Sequence, residues 1–209
     1  MSHLDQVERH IAWLLAHDEP AEPGNAAGLP LLDLVPSRPH AGWDWLPAFL
    51  KGTPPTDWLP RAVSAVDVTA LRAGLLLMHD FLDESHQQSQ SIEGEGEHQW
   101  GDYWHAILHR REPDYGNAKY WFHQIGRPPT FPELARQADV LLQSSPSPHA
   151  PRWRSNLATP SAWNPFAFVD LCESCASSPD PGLKLAARQI QFAEMLLLFR
   201  QTYRQATGT

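Results

Sequence analysis

Twenty prolines are spread so unevenly along this 209-residue chain that they decide where long helices can exist. Nine fall between Pro20 and Pro60, none between Arg61 and Glu112, eleven between Pro113 and Pro181, and none beyond. Proline fixes φ and lacks a backbone N–H, so it suits loops and first helical turns and is excluded from helix interiors. The proline-free stretches are therefore free to form long helices, and the proline-dense ones read as extended arms and helix starts.

Apolar spacing fills in those stretches. Leu4, Val7, Ile11, Leu14 and Leu15 mark an amphipathic helix behind Ser2 as its cap. Val68, Leu71, Leu75, Met78 and Leu82 predict one long helix capped by Asp67 and running to about Gln90. Further helices are expected from Trp100 to Arg111 and from Asn117 to Ile125. Thr130 and Glu133, at capping-box spacing, predict one through Leu142. Asn164-Pro165 opens another, and the last runs from Pro181 to about Ala206. No segment of useful length alternates with period two. The expected fold is all-α: one domain over 1–209, an irregular bundle of five to seven helices. Within it, 1–19 form an N-terminal helix, 20–60 a wrapped proline- and tryptophan-rich arm with short turns near Trp45 to Leu50, and 61–209 the helical core.

Composition mainly excludes. Sixteen basic against 24 acidic residues leave a net charge of −8, which argues against a nucleic-acid partner. No apolar run reaches the roughly 18 residues of a membrane span, and the polar start MSHLDQVERH is not a secretory leader. Cytoplasmic location is the expectation. Cys172 and Cys175 are spaced C-x-x-C but sit in an apolar helix with no preceding strand, so packing is expected of them rather than redox chemistry.

One segment carries chemistry. Residues 100–122 read WGDYWHAILHRREPDYGNAKYWF, with seven aromatics among 23 residues. On a helix, His105 and His109 are i and i+4, so both imidazoles leave one face. Ala106 stands where an H-E-x-x-H protease would carry its glutamate, which excludes that class. On the preceding helix His79, Asp83 and His86 fall at i, i+4 and i+7, again one face, and the two helices would offer all five side chains to a shared space.

The run YWHAILHRREPDYGNAKYWF, together with HDFLDESHQQSQSIEGEG before it and GRPPTFPEL and WNPFAFVDLCE after it, resembles an uncharacterised microbial protein family. The similarity spans about residues 67 to 205 and leaves out the proline-rich arm. It brings no activity with it, only the matching positions Tyr103, Trp104, His105, His109, Arg110, Arg111, Glu112, Asp114, Asn117, Lys119, Tyr120 and Trp121.

The residues themselves suggest an enzyme of hydrolase, lyase or isomerase type acting on a small anionic metabolite. His86, His105, His109 and Glu112 are its expected catalytic groups, because imidazole titrates near neutral pH. Arg110, Arg111 and Lys119 would hold the anion through charge-assisted hydrogen bonds, with Tyr103, Trp104 and Tyr120 lining the pocket. From His105 to Arg127 the charge is +4 − 2 = +2, a local attraction within an acidic chain. A divalent transition metal on His86, His105 and His109, with Asp83 behind them, is the competing use of the same imidazoles. It is opposed by the neighbouring arginine charges. Two other readings use the same features: a non-catalytic module binding an anionic small molecule, and an interaction protein whose Trp43–Trp58 arm docks on a partner or on a second copy, as in a homodimer.

Overall fold

The computed structural model describes residues 1–22, 24–159 and 162–209. The loop expectations for Pro23 and Pro160 fall outside that range. The architecture is all-α, with eleven helices among the described residues: α1 (His3–Ala16), α2 (Leu46–Gly52), α3 (Pro55–Trp58), α4 (Ala65–Met78), α5 (Leu82–Gln90), α6 (Trp100–Arg111), α7 (Tyr115–Gln124), α8 (Phe131–Ser144), α9 (Ala150–Leu157), α10 (Pro165–Ser177) and α11 (Pro181–Thr207). A two-residue antiparallel pair, β1 (Ala158–Thr159) with β2 (Ala162–Trp163), precedes α10. No described helix is long and apolar enough to cross a membrane.

The count of five to seven helices is thus too low, for three local reasons. The proline arm contains α2 and α3, each with proline at its first turn. Residues 150–157 form α9. The expected single helix from Val68 to Gln90 is two helices, α4 and α5. His79 ends α4, and Asp80 takes a left-handed φ of 64°, which no continuous helix can contain. The corner is held from outside: the Arg111 guanidinium donates to Leu77 O at 2.6 Å, to the Asp80 carboxylate at 2.6 Å and to Asp33 O at 3.2 Å. No period in the sequence reports such a clasp.

Caps follow local chemistry with small displacements. Ser2 and Asp5 form a reciprocal capping box on α1. Ser64, not Asp67, caps α4, accepting from Asp67 N at 3.2 Å. Asp114 caps α7 and Asn164 caps α10. The Thr130–Glu133 box does not form, because Glu133 is drawn outward to Arg136 and Gln137. Cys172 and Cys175 are free thiols buried in α10, and burial pushes them up to about 12 and about 11.

Helix α6 is the axis of the fold. All twelve of its residues are buried, and it packs on α4, α5 and α7. Its polar face points inward as well as its apolar one, so its charges need internal partners. Arg110 donates to Glu194 of α11 at 2.5 Å, and the Tyr103 hydroxyl donates to the same carboxylate at 3.1 Å. Trp104 Nε1 donates to Thr202 Oγ1 at 3.3 Å.

The arm is pinned by aromatic contacts. Trp58 is buried, Trp43 stacks on His79 at 4.1 Å, and Trp45 stacks on His3 at 4.1 Å. Its indoles therefore clad the chain's own core.

Close approach of α4 to α6 depends on Gly74, where an added Cβ would lie 2.6 Å from two atoms of the Trp104 indole. Overpacking costs about 1–3 kcal/mol, more than the roughly 1 kcal/mol that alanine gains over glycine in a helix. Gly74→Ala is expected to lower the urea midpoint without changing the slope of the transition. Equal or greater stability would show that the two helices are not held at this distance.

Candidate metal centre

His105 and His109 stack on each other along α6, with ring centroids 4.6 Å apart. His86 approaches from α5, its ring 4.7 Å from His105 and 5.2 Å from His109. One nitrogen from each of the three rings lies within 4.8 Å of the other two. Zinc–nitrogen bonds of about 2.0–2.1 Å in a tetrahedral site put ligand nitrogens about 3.4 Å apart, so modest side-chain rotation would bring the three rings onto one ion.

The surroundings orient these rings. His109 Nδ1 donates to Glu112 Oε2 at 3.1 Å, leaving Nε2 with its lone pair, which accepts from Asn117 Nδ2 at 3.1 Å. A carboxylate on the far nitrogen of an imidazole fixes its tautomer and raises its basicity as a ligand. An ion would take the lone pair on which the Asn117 amide rests. Trp121 of α7 stacks on His105 at 4.2 Å and walls the site. His105 is 2% exposed, yet neither of its ring nitrogens has a hydrogen-bond partner among the described residues. Buried polar atoms are paired in almost all native structures, so this ring is the strongest sign of an absent ligand.

Electrostatics favour neutral imidazoles. Burial pulls His105 down to about 3, with His109 and His86 adding like-charge repulsion. Burial and His86 lower His109, against the pull of Asp114. Glu112 is raised by burial and by the nearby carboxylates of Asp83 and Asp114, with His86 opposing. His105 and His109 are thereby favoured in the neutral form that binds metal, with the Glu112 carboxylate on His109 and Asp114 acting on both His109 and Glu112.

The expected anion-binding side chains have other work. The Arg110 guanidinium is fully buried against Glu194, and that of Arg111 against Asp80. Burial opposes the charge on both, and each has a carboxylate within bonding distance. Neither charge is free for a ligand. Lys119 pairs with Asp170 of α10 at 2.5 Å. Tyr103 and Trp104 are core residues facing α11, and Tyr120 is 55% exposed on α7. Of the expected catalytic groups, His86, His105, His109 and Glu112 do come together.

His79 does not join them. The corner at Asp80 turns it to the opposite side, into a second imidazole cluster that the sequence did not reveal. His10 Nδ1 donates to Ala27 O at 2.8 Å, so His10 Nε2 is the acceptor for His79 Nε2 at 3.0 Å. His40 lies 3.7 Å from the Asp80 carboxylate. His10 and His79 are 69 residues apart, and no local pattern links them. Asn117 was missed as a partner of His109 for the same reason: the turn at Pro113 brings it back.

No family model matches the chain, and no curated protein or solved structure resembles it. The site is therefore read from its own geometry.

The buried imidazoles make stability depend on pH. Burial brings His10 down to about 4 and His105 to about 3, and it lowers His79, His109 and His40 as well. In the unfolded chain each titrates near 6.5. Between those values the unfolded state binds more protons, so stability is complete above about pH 6.5 and falls as the solution is acidified. One such proton contributes a slope of up to about 1.4 kcal/mol per pH unit. In metal-free protein, His105→Gln is expected to remove up to that slope between pH 6.5 and 5, read from urea denaturation. An unchanged slope would mean that His105 is protonated in the fold.

Proposed function

We propose that this chain is a metalloprotein, and that His86, His105 and His109 bind a divalent transition ion, zinc being the simplest fit. The observation that carries the reading is the buried, unpartnered ring of His105 between two other imidazoles. Three protein ligands with a further position left for water are the catalytic pattern for zinc, in which the bound water loses a proton near neutral pH. We read the centre as that of an enzyme of hydrolase or lyase type acting on a small polar metabolite. The anionic group that sequence assigned to Arg110, Arg111 and Lys119 would be drawn by the ion itself, since neutral imidazoles leave its charge uncompensated.

The roles of the chain's own groups follow. His105 and His109 hold the ion from a single rigid helix. Glu112 keeps His109 in the ligating tautomer. Trp121 excludes water from the back of His105. His86, from the shorter and more polar α5, closes the set. Asp83 and Asp114 add negative charge near the centre.

Elemental analysis of protein purified without a histidine tag is expected to return about one equivalent of a transition metal, with zinc favoured on the ligand types. Cobalt(II) loading should give the intense visible bands of a four-coordinate site. Both signals should disappear in His105→Ala and His109→Ala, and Glu112→Gln should weaken zinc affinity about 10- to 100-fold. Less than about a tenth of an equivalent, with no cobalt spectrum after loading, would overturn the metal reading. Stoichiometric metal whose cobalt spectrum is unmoved by azide, with no turnover of small esters or amides, would restrict the protein to binding without catalysis.

A further inference from the structure

Arg110 and Arg111 are held by buried carboxylates, whereas Arg72 is not. A cavity of about 490 Å³ opens between α2, α4 and α5, within the range of small-molecule sites, about 300–1,000 Å³. Leu50 and Leu76 give it an apolar floor, and Lys51, Arg72, Glu84 and Gln88 give it a polar rim.

Arg72 is the unusual member. Its guanidinium is half-buried, and among the described residues its Nε has no partner and its one hydrogen bond is a long one of 3.5 Å from Nη2 to Thr53 O. No carboxylate among the described residues forms an ion pair with it, although it is half-buried, whereas the fully buried Arg110 and Arg111 each have one. Burial lowers its pKa with no acidic side chain acting against that. A guanidinium withdrawn from water without a counter-ion is costly, and its planar fork matches a carboxylate bidentately. Lys51, in the last turn of α2, also lines the cavity and adds a second cation. With Glu84 the rim carries +2 − 1 = +1, which one negative charge balances.

The geometry points to this cavity as a binding site for a small organic monocarboxylate, its carboxylate on Arg72 and Lys51 and its apolar body on Leu50 and Leu76. The site is separate from the imidazole centre. At 100° per residue, Glu84 and Gln88 each lie 200° from His86 around α5, on the far side of that helix.

The test uses the full chain stripped of metal and dialysed, so that binding to an ion at His86 cannot contribute. Hexanoate is the probe, with hexanol and inorganic phosphate as controls, followed by calorimetry and by chemical-shift changes at Arg72 and Gln88. Saturable hexanoate binding is expected, with hexanol and phosphate at least tenfold weaker. Arg72→Gln should weaken hexanoate at least about tenfold, the scale of a lost charge-assisted bond. Lys51→Gln, at an exposed position, should weaken it severalfold without disturbing the fold. Absence of saturable hexanoate binding overturns the proposal, as does hexanol binding equally well or Lys51→Gln having no effect. Phosphate binding more tightly than hexanoate overturns the carboxylate assignment. None of these outcomes bears on zinc stoichiometry, so the two readings stand or fall separately.

Discussion

The two adjacent arginines at the end of α6 fix what the rest of the molecule can do. Arg110 reaches Glu194 on α11, and Arg111 reaches Asp80 and Leu77 O at the α4–α5 corner. Successive residues on a helix point about 100° apart, so the pair grips two different neighbours. With both fixed, the rotation of α6 about its own axis is fixed too, and His105 and His109 are left facing α5. Removing one partner of such a pair strands a buried charge, at a cost of about 3–5 kcal/mol, although an apolar replacement of the whole pair can be neutral. Their contribution here is therefore register as much as stability: they set which face of a wholly buried helix meets which neighbour.

What could be read from the sequence was what local chemistry controls. The i, i+4 histidines on α6 and the Asn164-Pro165 start of α10 rest on backbone geometry and spacing, and each appears where the residues put it. The corner at His79–Phe81 was not legible, because nothing in HDFLD breaks a helix by propensity. It exists because Arg111, 31 residues away from Asp80, supplies the hydrogen bonds that the left-handed turn needs. The same clasp explains the error over the arginines. A basic pair at a helix C-terminus reads as exposed charge favoured by the helix dipole, and only the tertiary fold shows both guanidiniums turned inward. Thr130 and Glu133 had the right spacing for a box, but Arg136 at i+3 competes for the glutamate.

Helix α5 shows how little apolar surface suffices when side chains are small. Its sequence LDESHQQSQ has a single large apolar residue, yet Ser85 and Ser89 are fully buried, and Ser85 Oγ donates to Ala73 O at 2.9 Å. Small hydroxyls let the α5 backbone lie close to α4 and leave its other faces free. One of those faces carries His86 to the imidazoles, and the opposite one carries Glu84 and Gln88 to the outer cavity.

That division of labour bears on how the centre assembles. His105 and His109 ride on a wholly buried helix, where Glu112 and Asn117 hold His109 and Trp121 stacks on His105. His86 is half-buried on α5, a helix whose buried residues are Ser85 and Ser89. On the proposed metal reading, two ligands on the buried α6 and a third on α5 would place the reorganisation accompanying binding on α5 rather than on the core. The acidic balance of the chain acts in the same direction. Asp83, Glu112 and Asp114 influence one another around the site, while the strongest nearby positive charges are turned inward and neutralised by Glu194 and Asp80.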